Sequence, residues 1–183
     1  MKFVRTSSVA FFLVVLTSIG HAAKNPIVGG KEMFPNKNIV ENAVNSADHT
    51  TLVAAVKAAG LVETLQGPGP YTVFAPTNAA FQKLPAGTVE TLLKSENKPL
   101  LTKVLTYHVV PGRLSSADLR KQIEMGLGAA MLKTVSGGML WATMQGRDIY
   151  LRDGMGGVAK LTQMNVFQSN GVIHVIDTVV QPS

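Results

Sequence analysis

Tyr71-Thr-Val-Phe-Ala-Pro-Thr-Asn-Ala-Ala-Phe81 decides how the rest of the chain is read. Gly67-Pro-Gly-Pro70 precedes it, a breaker strong enough that Tyr71 must begin a new element. Four β-favouring residues in a row then predict a buried strand. Pro76 ends the strand. Thr77 is a good N-cap for a helix from Asn78 to Leu84 that returns Phe81 toward the core.

Working outward toward the N-terminus, Asn38 can cap a helix carrying Ile39, Val40, Ala43 and Val44 on one face. Asp48 or Thr50 can open a second with Leu52, Val53, Val56 and Ala59 at helical spacing, stopped by Gly60. Leu61 to Leu65 add one more apolar turn. In the other direction, Thr88 caps a turn bearing Val89, Leu92 and Leu93. Pro99 sits at the first position of a helix holding Leu100, Leu101, Val104 and Leu105. Tyr107 to Val110 reads as a strand closed by Pro111-Gly112, and Ser115-Ser-Ala-Asp118 has capping-box spacing. From Met131 the apolar period changes to two. Strands are expected over 131–135, 139–144, 148–152, 158–167 and 172–180, with Gly137-Gly138, Gly146, Asp153-Gly154 and Asn170-Gly171 at hairpin positions. Helices first and antiparallel strands after them make an α+β protein, not a βαβ winding.

Two further stretches stand in order behind the first: Tyr107-His108, and Ser169-Asn-Gly-Val-Ile-His-Val-Ile-Asp-Thr-Val-Val-Gln-Pro182. Together the three resemble the first homology block, the Tyr-His pair and the second homology block of the fasciclin (FAS1) family, over about Asn36 to Pro182. The resemblance implies the FAS1 fold, an antiparallel β-sheet wedge with helices packed around it, mainly from the N-terminal half. It also implies a secreted or periplasmic interaction module of bacterial type. It names no ligand, because function belongs to sites and not to folds.

Residues 1–22 read as a secretory signal: Lys2 and Arg5 begin it, Val9 to Leu16 are almost wholly apolar, and small residues close it at Gly20-His21-Ala22. The apolar run is shorter than the roughly 20 residues a membrane span needs, so no transmembrane anchor is expected. Residues 23–35, with Gly29-Gly30 and Pro35, read as a flexible lead-in, and residues 36–183 as one fasciclin domain. There is no cysteine, which excludes a disulfide framework, a cysteine metal site and a lipoprotein anchor. Without Lys2 and Arg5 the 17 basic residues become 15 against 11 acidic ones, a net charge of +4. The cations are scattered. A nucleic-acid footprint would be a dense stripe with interleaved aromatics, so no nucleic-acid partner is expected.

Tyr107 and His108 invite a catalytic story, since a general base needs a substrate proton or nucleophile in reach. The matching candidates are Thr77 and Asn78. The plainer reading is that neutral His108 lies under the helix start and bonds a backbone or Thr77-Asn78 group, because buried polar groups are normally paired. In the family the pair is implicated in fold integrity and adhesion, so Thr77, Asn78, Tyr107 and His108 are carried over as binding candidates. Two departures from the family pattern weaken acid-base or metal chemistry: Asn78 and Asn165 stand where carboxylates are common, and an amide cannot ionise. In the last block Asn170-Gly171 offers the positive φ angles of a two-residue hairpin. Val172, His174 and Ile176 should share one face of the strand, with His174 structural. No metal site is expected.

Six methionines follow Gly112: Met125, Met131, Met139, Met144, Met155 and Met164. Their wide spacing favours plastic core packing over copper binding. The same softness could line a groove for an apolar ligand, with Met139, Trp141, Met144 and Tyr150 around it. Some fasciclin-like algal proteins bind carotenoids, which makes a soluble carrier of a lipophilic small molecule the alternative reading. No nucleophile elbow, phosphate loop or dinucleotide fingerprint occurs, and Gly146-Arg147-Asp148 is not an integrin motif. The expectation is therefore a non-enzymatic module without cofactor, secreted or periplasmic, adhering to a cell-surface, envelope or matrix protein or polysaccharide.

Overall fold

The computed structural model describes residues 25–183; the expected signal segment lies outside the described residues. Two short strands open the fold, β1 (Ile27–Val28) and β2 (Lys31–Glu32), paired antiparallel across Gly29-Gly30. Both glycines have positive φ, which suits the turn. The expectation of a flexible lead-in is thereby corrected: Val28 and Met33 are buried, the Met33 amide donates to the Pro26 carbonyl at 2.9 Å, and the hairpin is part of the core. Two glycines together signal a linker and a tight turn equally well. The apolar residues on either side, Val28 and Met33, distinguish the two.

Among the described residues, seven α-helices follow in three groups. The first is α1 (Ile39–Ala43), α2 (Thr50–Ala59) and α3 (Val62–Gln66). Asn38 caps α1 in a reciprocal box with Glu41, and Gly60 closes α2 in the left-handed conformation. After β3 (Tyr71–Pro76) come α4 (Asn78–Gln82), capped by Thr77, then α5 (Thr88–Leu92) and α6 (Lys98–Tyr107). Thr88 is the first residue of α5, not its cap; Gly87 takes the cap position with φ 80°. Beyond β4 (Val109–Pro111) lies α7 (Ser116–Met125), where Ser115 and Asp118 form the expected capping box.

The remaining strands are β5 (Ala129–Lys133), β6 (Met139–Gln145), β7 (Asp148–Arg152), β8 (Val158–Gln168) and β9 (Gly171–Ile176). They join β3 and β4 in a seven-stranded sheet of order β4-β3-β9-β8-β7-β6-β5. Every pair is antiparallel except β3 with β9, the strands of the two signature blocks, which run parallel from Tyr71↔Gly171 to Pro76↔Ile176. This is the α+β arrangement that the order of elements in the sequence predicts.

Both sides of the two central strands are covered, which is why β3 and β9 read as unbroken apolar runs. Val73, Ala75, Ile173 and Val175 face the core made with α1 to α6. Phe74, Val110, Ile176 and the inward residues of β5 to β8 face a second core closed by Leu119 and Ile123 of α7. Alternation along β9 puts Ile176 in that second core with Val172 and His174 also fully buried, as the period of two requires.

Candidate functional site

Tyr107 is the last residue of α6, and His108 caps it; neither lies on a strand. Both are buried, at 1 % and 2 % exposure. Tyr107 reaches across to two hairpin turns: its hydroxyl donates to the Met139 carbonyl and accepts from the Gly154 amide at 3.0 Å. Gly138 is required for this approach, because a Cβ there would sit 2.7 Å from the Tyr107 ring. Burial pushes the phenol pKa up.

His108 Nδ1 lies 2.8 Å from the Val104 carbonyl, and its Nε2 accepts from the Val180 amide at 3.3 Å. A carbonyl only accepts and an amide only donates, so Nδ1 carries the proton and the ring is neutral. Burial lowers its pKa to about 4. Both nitrogens are thus occupied, and His108 ties the end of α6 to the C-terminal tail. The expected contact with Thr77 or Asn78 is not made.

Asn78 works on a different junction. Its Oδ1 accepts from the Thr51 amide at 3.0 Å and its Nδ2 donates to the Ala47 carbonyl at 2.9 Å, while the Thr50 hydroxyl lies within bonding distance of both. The amide therefore serves the exposed donors at the start of α2, and its second half does what a carboxylate could not, donating to a carbonyl. Thr77 is consumed as the cap of α4, accepting from the Ala80 amide. The four residues expected to share a surface are corrected accordingly. Thr77 and Asn78 are half-buried at a helix junction, and Tyr107 and His108 are buried under a different set of turns.

An open groove of about 290 Å³ does lie beside Asn78, bounded by Thr51, Phe81, Gln82, Pro85 and Glu90. Gln82, Pro85 and Glu90 are exposed. Sequence reading passed over them because isolated polar residues next to a proline carry no pattern.

Asn165 explains the second amide. A bulge in β8 between Gln163 and Val166 places it at φ 63°, which asparagine tolerates better than most residues. From there Oδ1 accepts from the Ser116 amide at 2.7 Å and Nδ2 donates to the Ser116 hydroxyl at 2.8 Å, fixing the start of α7. The Asn165 amide in turn donates to His174 Nδ1 at 3.3 Å, and His174 Nε2 donates to the Leu114 carbonyl at 2.8 Å. His174 stacks on Phe74 with centroids 5.8 Å apart and is a structural residue. Replacing Asn165 with alanine orphans the Ser116 amide and strains the bulge. We expect a loss of about 2 kcal/mol of stability, read from the fall in the urea midpoint against wild type.

The quartet expected to line a lipophilic groove is also corrected. Register across β6 and β7 pairs Thr143 with Tyr150 and Met144 with Ile149. Since Ile149 is a fully buried core residue, Met144 packs inward, whereas Met139, Trp141 and Tyr150 stand on the opposite, outward face. Sequence spacing of 139, 141 and 144 mixes odd and even positions of one strand, so the four could not share a face. Among the six methionines, Met144 and Met164 pack on the second core, but Met125, Met131 and Met155 are exposed, so core packing does not account for them.

A different cavity exists. Apolar side chains of α1, α2 and α3, among them Val40, Val53, Val56 and Val62, line a cavity of about 80 Å³ against β3 and β9. His49 lines it as well, buried, with Nδ1 on the Ser46 hydroxyl at 2.8 Å and Nε2 without a partner. Burial lowers the His49 pKa. The apolar stripe of α2 was legible in the sequence; that it fails to fill the space beneath it was not. No group of three or more metal-ligating side chains occurs among the described residues.

Compared with known proteins, residues 47–182 match the family model of the fasciclin domain. Protein sll1483 of Synechocystis sp. is 43 % identical over 171 residues, covering 92 % of this chain and 87 % of that one. Immunogenic protein MPB70 of Mycobacterium bovis is 36 % identical over 171 residues, covering 88 % and 78 %. The structure superposes with a TM-score of 0.70 on a FAS1 domain pair from the insect cell adhesion molecule fasciclin I, at 17 % identity. That match covers 80 % of this chain and 51 % of the insect chain, so the protein spans about half of the domain pair.

Proposed function

This chain belongs to the fasciclin family, and on that premise we propose that it is a non-enzymatic, extracytoplasmic interaction module that mediates adhesion to a cell surface or matrix. The groove beside Asn78 is the observation that carries the reading. It is open, lined by polar and apolar atoms alike, and set between α2, α4 and α5, as suits a recognition surface. The residues with the strongest catalytic appearance, His108 and His174, are neutral and bonded at both nitrogens to backbone groups, which leaves neither as a general base. Export, through residues 1–22 acting as a signal, is part of the proposal. No helix among the described residues is long and apolar enough to cross a membrane. The partner is a cell-surface, envelope or matrix protein or polysaccharide.

Substitutions at Gln82 and Glu90 test the groove, because these exposed side chains can change without unfolding the module. Gln82→Ala and Glu90→Lys should each weaken adhesion to matrix or envelope fractions several-fold while the melting temperature stays within about 1 °C. Adhesion that survives both changes would remove the groove from the account.

The apolar cavity under α2 favours a second reading, a carrier of a lipophilic small molecule. At about 80 Å³ it is roughly half the size of an engineered cavity that takes up benzene. It admits the end of an apolar chain, and a larger ligand requires α1 and α2 to part. Native mass spectrometry of protein from its own source separates the readings: an added mass of several hundred daltons that organic solvent removes supports the carrier, and the bare chain mass supports the adhesion module.

A further inference from the structure

The turn between α7 and β5 is built against its own backbone preference. Helix α7 ends in a Schellman motif: the Gly128 amide donates to the Ile123 carbonyl at 2.9 Å and the Leu127 amide to the Glu124 carbonyl at 3.2 Å. The residue just before Gly128 must be left-handed, a position that glycine usually fills. Here Leu127 fills it, at φ 55°. A bulky side chain is disfavoured there, since its Cβ crowds the following carbonyl. Leu127 gains no packing in return, because it is 98 % exposed. Two residues back, Met125 is 69 % exposed. The fold uses neither side chain.

The surroundings are open and basic. Register pairs Ala129 with Thr143, which brings the β6–β7 turn at Gln145 to Arg147 alongside Leu127, at one end of the sheet. A Cβ added at Gly128 or Gly146 would meet nothing within 4 Å, so both turns stand clear of the body. Arg120 of α7 donates to the Arg147 carbonyl at 3.1 Å and ties the helix to the β6–β7 turn without neutralising either guanidinium. Arg120 and Lys121 lie on α7 behind the apolar tip and Arg147 on the turn beside it, with the exposed carboxylates of Glu124 and Asp118 on the same helix, the latter facing Lys121; Asp148 is already paired with Lys160 at 2.6 Å.

We propose that this tip docks on an anionic lipid surface, Leu127 and Met125 entering the headgroup-acyl boundary and Arg120, Lys121 and Arg147 binding the lipid charges. Apolar side chains protruding from a rigid turn inside a basic collar match both components of interfacial binding. A bilayer receives such a protrusion without a preformed pocket. The proposal goes beyond the adhesion reading and is independent of the Asn78 groove, which is formed by α2, α4 and α5.

Vesicle co-sedimentation of the exported form of the protein tests it, with phosphatidylcholine vesicles against vesicles in which a third of the lipid is phosphatidylglycerol. Anionic vesicles should bind it roughly tenfold more tightly than neutral ones at low salt, and the difference should shrink as salt is raised. Leu127→Gly should weaken that binding about tenfold while raising the melting temperature by roughly 2 to 4 °C, because it removes the strain. Arg147→Glu should weaken it with the melting temperature unchanged. Absence of binding to anionic vesicles overturns the proposal and points the tip at a protein pocket instead. Undiminished binding by Leu127→Gly overturns it equally. Adhesion that survives the changes at Gln82 and Glu90, with vesicle binding intact, would count against the adhesion reading and not against this one.

Discussion

Replacing Asn170 with alanine should lower the stability of the fold by about 3 to 5 kcal/mol, a large share of the roughly 5 to 15 that hold a domain together. Asn170 is buried, and its amide serves three backbone groups from distant elements. Oδ1 accepts from the Ile39 amide at 3.0 Å; Nδ2 donates to the Leu65 carbonyl at 2.8 Å and the Gly67 carbonyl at 2.9 Å. The side chain thereby joins the β8–β9 turn to the start of α1 and the end of α3. Truncation leaves all three groups without partners, each at about 1 to 3 kcal/mol less any water that reaches them. Asn170→Gly discriminates the explanations. An asparagine present for its backbone freedom in a tight hairpin would be replaced by glycine at little cost. Neither Asn170 nor Gly171 has positive φ, however, so glycine should cost as much as alanine. Urea midpoints of the two variants decide this.

Acid should unfold the protein through its histidines. His108, His174 and His49 are all buried with lowered pKa, chiefly by desolvation. In the unfolded chain each titrates near 6.5, so between pH 6.5 and the folded pKa the unfolded state binds more protons and stability falls as pH falls. For His108, whose folded pKa is about 4, the stability present above pH 6.5 is lost progressively as pH drops toward 4. The loss reaches about 2 kcal/mol at pH 5. His174 and His49 add to the slope in the same direction. Urea unfolding at pH 7.5, 6 and 5 should show the decline. In His108→Gln, already weaker at pH 7.5, the decline should be shallower by about one proton. An equal decline in that variant would mean that His108 is not the titrating group.

The contrast between these two predictions and the sequence explains what a sequence can carry. Local chemistry was legible: Gly67 to Pro70 as a breaker, Thr77 and Ser115 as caps, Gly60 as a stop, and the change of period after Met131. Each acts over a few residues, and the structure shows each in place. The faces of β9 followed from alternation alone. Long-range use of side chains was not legible. The dipeptide Asn170-Gly171 looks like a hairpin turn chosen for positive φ. In the fold, Asn170 is chosen for its amide, and Gly171 for the close approach of β3, where a Cβ would collide with the Tyr71 carbonyl. The parallel pairing of β3 with β9 joins residues about a hundred positions apart, beyond the reach of any local pattern.

The candidate site fared in the same way. Tyr107 and His108 stand out in the sequence, but their neighbours in the fold are turns at 138–139, 153–154 and 180, which no spacing rule connects to them. Asn78 and Asn165 appeared as lost carboxylates, and each proves to need the donor half of its amide. The lipophilic quartet failed on parity within one strand. The cavity under α2 is a packing defect between three helices and a sheet, and its volume has no counterpart in composition or period.

The central claim is that the Tyr107-His108 pair holds the module together while contact with the partner occurs elsewhere. Tyr107→Phe removes the hydroxyl that serves the Met139 carbonyl and the Gly154 amide, and should cost about 2 kcal/mol without moving a surface group. The decisive measurement is adhesion per folded molecule, taken well below the melting temperature, for Tyr107→Phe and Gln82→Ala side by side. The account predicts that Tyr107→Phe melts earlier yet adheres as wild type does, whereas Gln82→Ala melts normally and adheres several-fold less. Full stability with lost adhesion in Tyr107→Phe, beside unchanged adhesion in Gln82→Ala, would contradict it.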